Sequence, residues 1–265
     1  MTPLLPTLRA LHQQGLLILP NAWDAGSARL FEATGAQAIA TSSSAMSWAH
    51  GVPDGEHLTQ PMRVASLTEI VRAVRVPVSV DLEAGYGATA EAIVPAVRAV
   101  LDAGAVGINL EDGDGAPSLL AEKIASAKRV AAAAGVDLFL NARTDVYLHA
   151  LVPPERRVEE TLARAARYRE AGADGLFVPG IVEEEAIQEI ARGCGLPLNV
   201  LARPGLPVPA RLEALGVRRL SLGGALAQAA LGLVRGLCQD VLQRGEYGAL
   251  FANQLPYAEM NALFR

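Results

Sequence analysis

One pattern recurs eight times along the chain and limits what it can fold into more than any other feature. A short apolar run is followed by polar punctuation and then by a longer amphipathic stretch. The runs are Leu16–Pro20, Ala38–Ser43, Val76–Glu83, Gly107–Asp112, Leu138–Thr144, Gly175–Gly180, Leu196–Ala202 and Arg218–Gly223. Most are rich in Val, Ile and Leu and of strand length, as expected of parallel strands covered on both faces. The segments Ala88–Ala103, Leu119–Ala134, Glu155–Ala171 and Glu183–Arg192 read as helices. Gly-Ala or Gly-Val pairs at 35–36, 104–105, 135–136, 172–173 and 216–217 end several helical stretches and release the chain into the next strand. Eight β-then-α units without a Pro- or Ser-rich linker predict a (β/α)8 TIM barrel, with residues 1–265 as one domain.

A doubly wound open sheet is the alternative. Gly85-Tyr86-Gly87 lacks a third glycine in register, however, so no dinucleotide-binding turn supports it. Residues 225–265 exceed what one barrel helix needs. Leu231, Val234, Leu237, Val241 and Leu242 recur at helical spacing, and Leu250, Phe251, Leu255, Tyr257 and Phe264 follow. A tail so apolar is expected to pack on a neighbouring subunit of a homo-oligomer.

Composition excludes several function classes. A net charge of −5 argues against a nucleic-acid partner, which wants a basic stripe. Positive charge for binding an anion must then be local, and a metal ion is one source of it. Two cysteines, Cys194 and Cys238, are too few for a disulfide framework and suit a reducing compartment. The opening Met-Thr-Pro-Leu-Leu-Pro does not read as a signal peptide, and Gly, Arg or Asp breaks every long apolar stretch. A cytoplasmic protein with no membrane partner is the expectation.

The C-terminal ends of barrel strands carry catalytic groups. Reading those ends in order gives Asn21 and Asp24, then Thr41-Ser42-Ser43-Ser44, Asp81 and Glu83, and Glu111 and Asp112. Asn141, Arg143 and Asp145 come next, then Val178-Pro179-Gly180, and last Asn199 and Arg203. Asp81 and Glu83 are two apart and share one strand face, and Glu111 adds a third carboxylate from the next strand. Three converging acids repel one another unless protons or a cation intervene. Oxygen ligands without His or Cys point to a hard ion such as Mg2+. Each acid taken singly could instead cap a helix or pair with an arginine. Ser42, Ser43 and Ser44 offer hydroxyls and backbone N–H groups at a turn, suited to a carboxylate or phosphate or to an ordinary polar turn. The fork of Arg143 could hold a carboxylate, stabilise a developing oxyanion or bridge to a barrel acid. His12, His50, His57 and His149 show no metal-ligand spacing and read as structural or solvated. Neither cysteine is placed as a nucleophile, and no nucleophile elbow or Walker loop appears.

These strand ends carry a resemblance. Asn21-Ala22-Trp23-Asp24-Ala25-Gly26-Ser27-Ala28, Thr41-Ser42-Ser43-Ser44, Gly51-Val52-Pro53-Asp54-Gly55 and Val80 to Gly87 resemble the isocitrate lyase and phosphoenolpyruvate mutase superfamily. So do Asn109-Leu110-Glu111-Asp112, Asn141-Ala142-Arg143-Thr144-Asp145 and Gly172-Ala173-Asp174-Gly175. The resemblance implies a barrel whose last helix is exchanged between neighbours, usually in a tetramer built of dimers. It also implies Mg2+ near Asp81, with Glu83, Glu111 and Asp54 reaching it largely through water. Ser42, Ser43, Ser44, Asp81, Arg143 and Asn199 are expected to bind substrate, and Arg143, Glu111 and Asp54 to serve catalysis. The implied chemistry is cleavage beside a 2-oxo or 2-hydroxy carboxylate through an enolate.

Two departures qualify the resemblance. Lyases of the superfamily carry a Cys within a Lys- and His-containing lid after the fourth strand, whereas this chain has Gly113-Asp114-Gly115-Ala116-Pro117-Ser118. The sixth strand end, a His or Glu in relatives, reads Pro179. The metal half of the machinery is thus expected without the familiar proton-handling half. Three readings follow: an Mg2+-dependent C–C lyase for an oxaloacetate- or isocitrate-like acid, P–C chemistry on phosphonopyruvate, or a 2-oxo acid binding protein with little turnover.

Overall fold

The structure, a computed structural model, describes residues 7–252 and 254–265. The opening hexapeptide, read above as no signal peptide, lies outside the described residues. Nine parallel strands form one sheet: β1 (Leu17–Leu19), β2 (Asn21–Ala22), β3 (Ile39–Thr41), β4 (Val78–Asp81) and β5 (Gly107–Glu111), then β6 (Phe139–Arg143), β7 (Gly175–Val178), β8 (Leu198–Leu201) and β9 (Val217–Ser221). The order β1-β9-β8-β7-β6-β5-β4-β3-β2 makes a nearly closed α/β barrel. The eight expected staves account for all nine strands. Pro20 has no N–H to give the ladder, so the first stave is split into β1, paired with β9, and β2, paired with β3.

Helices α1 (Leu8–Leu11), α2 (Ala25–Ala33), α3 (Ser43–Ala49), α4 (Gln60–Ala73), α5 (Val94–Asp102) and α6 (Pro117–Ala133) precede α7 (Arg157–Glu170), α8 (Glu184–Gly193), α9 (Pro209–Ala214), α10 (Ala225–Gln239) and α11 (Tyr257–Ala262). Asp24 caps α2, its carboxylate accepting the Ser27 N–H while the Ser27 hydroxyl accepts from the backbone N–H of Asp24. That reciprocal pair satisfies donors the first turn would otherwise leave free.

Alternate residues of each strand divide two environments. Ile108, Leu110, Leu140, Ala142, Leu176, Val178, Leu198 and Val200 face outward into the main core beneath the helices. A second, smaller cluster of Leu8, Leu17, Leu19, Ala38, Ala40 and Phe139 closes the foot of the bore. Space there is short: a Cβ at Gly107 would lie 2.5 Å from Leu8 Cδ2, so only glycine admits the α1 plug. Asp174 works at this foot, accepting from Arg9 (2.9 Å), Lys128 (2.9 Å) and the Leu140 N–H (2.8 Å).

The exception to this packing is α10. Ala227 is its one buried residue, while Leu231, Leu233 and Val234 are each more than half exposed. Ile18 on β1 is 45% exposed, an outward strand position left largely uncovered. No helix among the described residues is long and apolar enough to cross a membrane.

Candidate active site

The mouth of the barrel gathers charge from β3 to β6. Asp81 ends β4, and its Oδ2 accepts from the Ser43 hydroxyl (2.9 Å) and the Ser43 N–H (3.3 Å). Its Oδ1 is buried and has no hydrogen-bond partner among the described residues. A carboxylate oxygen withdrawn from water without a donor is costly unless a cation or an ordered water meets it.

The serine run is the start of α3, where Ser42 caps the helix by accepting the Ala45 N–H at 3.3 Å. The Ser42 and Ser44 hydroxyls lie 3.0 Å apart. A turn was expected here; the small residues instead let the chain pass from strand to helix within one residue.

Glu83 is buried and fully engaged. Its Oε2 accepts the Glu56 N–H at 2.7 Å and its Oε1 accepts from the Tyr86 hydroxyl. The Tyr86 N–H in turn donates to Glu56 Oε1 at 2.7 Å, and the Arg63 guanidinium lies over the Tyr86 ring at 3.4 Å. Glu56, Glu83 and Tyr86 all have positive φ, at 60°, 49° and 56°. Such backbone is strained for non-glycine residues and persists where contacts over-determine it. This interlock carries the exposed Asp54 loop up to the site. Burial holds the Glu83 carboxyl above its usual range, against the hydrogen bonds from Tyr86 and Glu56 and with help from the charges of Asp81 and Asp54.

Arg143, at the end of β6, is shared between two acids. Nη1 lies 2.7 Å from Glu111 Oε2, while Nε and Nη2 donate to Asp145 at 2.7 and 3.1 Å. Burial alone would disfavour its charge, but the carboxylates of Glu111 and Asp145 raise its pKa further. Glu111 is pushed up to about 8, first by burial, then by the charges of Asp81, Asp145 and Glu83; Arg143 opposes this but is divided between two partners.

Other strand-end residues serve the frame. The Asn21 amide donates to the Thr41 carbonyl (2.8 Å), and its oxygen accepts the N–H groups of Leu222 and Gly223, tying the split first stave to its neighbours. Asp112 is buried against Arg164 (2.8 Å), Tyr168 and the Asp145 N–H (2.9 Å). Asn199, named above among the substrate-binding residues, is 1% exposed within the bore, and its amide donates to Ser221 at 3.1 Å. Arg203 donates to the Gly180 carbonyl at 3.2 Å on the rim. Gly180 has φ +95°, and a Cβ there would lie 2.8 Å from the Leu148 backbone nitrogen, so this position admits only glycine.

The donor set suits a hard cation better than a soft one. Among the described residues, no three His, Cys, Asp or Glu side chains form a ready-made metal cage. One or two carboxylates with water completing the sphere is how Mg2+ is commonly held, and the free Asp81 Oδ1 is the ligand atom available for it.

A carboxylate-lined α/β barrel with one arginine set among its acids defines a class of enzyme rather than a single reaction. The chain belongs to the phosphoenolpyruvate phosphomutase family, whose model matches residues 8–242, within the superfamily that also includes isocitrate lyase. It is 37% identical over 254 residues to an uncharacterised protein of Mycobacterium tuberculosis, covering 95% of this chain and 93% of that one. It is 31% identical to an oxaloacetate decarboxylase of Pseudomonas entomophila, over 68% of this chain and 63% of that one. A crystal structure from Burkholderia cenocepacia superposes with a TM-score of 0.83 at 42% identity, covering 87% of this chain and 97% of that one. A phosphonopyruvate hydrolase in complex with oxalate and Mg2+ gives a TM-score of 0.84 at 25% identity, over 97% and 93% of the two chains.

Proposed function

We propose that this chain is an Mg2+-dependent lyase that binds a small 2-oxo or 2-hydroxy carboxylate, oxaloacetate- or isocitrate-like, and breaks a C–C bond through an enolate. The observation that carries this reading is the buried, unpartnered Asp81 Oδ1 at a mouth where Glu83, Glu111 and Arg143 also gather. Asp81 would hold the cation directly, with Glu83, Glu111 and Asp54 acting through water. When bound, Mg2+ would supply Lewis acidity to the keto oxygen and carboxylate of the substrate.

The remaining work falls to the chain's own groups. Ser42, Ser43 and Ser44 present N–H groups and hydroxyls to the substrate carboxylate, Ser43 giving up its bond to Asp81 to do so. Arg143 is held rigid by Glu111 and Asp145 and faces the oxyanion that develops as the bond breaks. Glu111, whose carboxyl keeps its proton into the neutral range before a cation binds, is the proton carrier nearest that arginine. A panel of 2-oxo and 2-hydroxy di- and tricarboxylates assayed with Mg2+ and then with EDTA tests the reading. Turnover of one member that EDTA abolishes is expected. Metal-independent turnover would sink it, and tight binding without turnover would favour a binding protein. A second reading, P–C cleavage, is favoured by the nearly full-length likeness to a phosphonopyruvate hydrolase; phosphorus NMR of phosphonopyruvate in the same panel separates the two.

The tail 225–265 would complete a neighbouring barrel by helix exchange in a dimer or tetramer. The exposed Leu231, Leu233 and Val234 on α10 and the uncovered Ile18 on β1 support this. Sedimentation should give an oligomer that Leu233→Asp dissociates; a monomeric wild type would refute it.

A further inference from the structure

Barrel bores are ordinarily filled by interlocking bulky apolar side chains. This bore is apolar at its foot and at Phe177, which lies under Arg143, and polar between them. Above the plug it carries Ser79, Asn109, Asn141, Asn199, Ser221 and Arg219, all buried. The Asn141 amide donates to Asn109 at 3.0 Å, and the Asn199 amide bonds to Ser221. Arg219 is the odd member. It is 0% exposed, the largest fully buried side chain among the described residues. Its Nε donates to Ser221 Oγ at 3.1 Å, but Nη1 and Nη2 have no partner among the described residues.

Three more polar atoms of the bore are in the same condition: His12 Nε2 at the foot, Ser79 Oγ midway and Asp81 Oδ1 at the mouth. His12 stacks on Phe139 of the plug, with ring centres 4.1 Å apart. Burial, and after it the charge of Arg219, push His12 down to about 4, so it stays neutral. Arg219 itself falls to about 9 through burial, with Asp81 acting the other way, and remains a cation at neutral pH. A guanidinium left dry with both terminal nitrogens unmet is strongly disfavoured. Ordered waters, each taking two to four polar partners, remove that cost, and these orphaned atoms supply such partners from foot to mouth.

We propose that Arg219 is an electrostatic positioning residue of the candidate site: a fixed cation in the bore below Asp81, linked to its free oxygen through buried water. The inference rests on the reading that the mouth binds Mg2+ and a 2-oxo carboxylate. A fixed positive charge there favours the entering anion and the negative charge that grows during bond cleavage. It opposes the divalent cation. Its removal therefore moves the two affinities in opposite directions, whereas structural damage lowers both.

The test uses the full-length protein and two probes, Mn2+ followed by electron paramagnetic resonance and oxalate followed by calorimetry at saturating Mg2+. Arg219→Met should bind oxalate more weakly and Mn2+ more tightly, each by about tenfold or more, the least expected when a unit charge in the bore stops acting on a divalent probe at an effective dielectric of about 20. Arg219→Gln is the second neutral variant should the methionine not fold, and Arg219→Lys should restore both affinities to within about threefold of wild type at pH 6, where a lysine lowered by the same burial keeps its charge. Affinities that fall together, or that do not move, overturn the role of Arg219 while leaving the metal site standing. A wild type that binds neither probe overturns the functional reading, and the inference with it.

Discussion

The inner and outer faces of the barrel strands belong to the same residue runs and do opposite work. Outward, Ile108, Leu110, Leu140, Ala142, Leu176 and Val178 are at or near 0% exposure in one continuous apolar core. Inward, the same β5, β6 and β7 segments present Asn109, Glu111, Asn141 and Arg143, with glycine at Gly107 and Gly175 where side chains would collide. The outer face supplies stability through buried area, and each residue is replaceable by another of similar volume. The inner face concentrates charge that a foldable core would normally reject. Stability is thus invested on one side of each strand so that like charges can be held together on the other.

A matched pair of substitutions breaks or sharpens that contrast. Arg143→Lys keeps the charge but loses the fork shared between Glu111 and Asp145. Substrate turnover should fall about 10²-fold with little change in melting temperature, measured by kcat/KM and thermal unfolding. Leu110→Ala, one residue before Glu111 but on the outer face, should cost about 2–5 kcal/mol of stability in denaturant titration. Its kcat/KM at low temperature should stay within about threefold of wild type, because its side chain faces away from the bore. A Leu110 variant that loses turnover while stable, or an Arg143 variant that simply unfolds, would show that the two faces are not separable.

Much of the outer face was legible from the chain, because β-strand alternation and Gly helix stops are local signals. The runs predicted for β5 and β6 fall within two residues of the observed strands at every end. The clustering of Asp81, Glu111 and Arg143 was legible for the same reason, since strand ends are set by the same period. What escaped was non-local. The Glu56–Glu83–Tyr86 interlock depends on two loops meeting through positive-φ residues, which no spacing announces. Helix α4 has nearly balanced polar and apolar residues and a weak amphipathic pattern, so it gave little periodic signal. Arg219 sits in a run read as a strand, where a charged residue ordinarily marks an exposed position. The bulge between Leu198 and Asn199 shifts the register of β9 and turns Arg219 into the bore. The hydrogen bond of Asn199 to Ser221 on the neighbouring strand escaped for the same reason, since it joins residues 22 apart in the chain.

The charge of the inner face also makes the account sensitive to pH. Glu111 titrates at about 8 in the folded protein against an ordinary glutamate value in the unfolded chain. Between those values the folded state holds the extra proton, so the metal-free protein loses stability as pH rises toward 8. A bound cation needs that carboxylate ionised and must expel the proton. Calorimetric titration of the metal-free protein with Mg2+ at pH 7, in two buffers of different ionisation heat, therefore tests the central claim most directly. The account predicts saturable binding with release of about one proton per Mg2+, and affinity that rises with pH until about 8. Absence of Mg2+ binding, or binding with no proton released at pH 7, would contradict it.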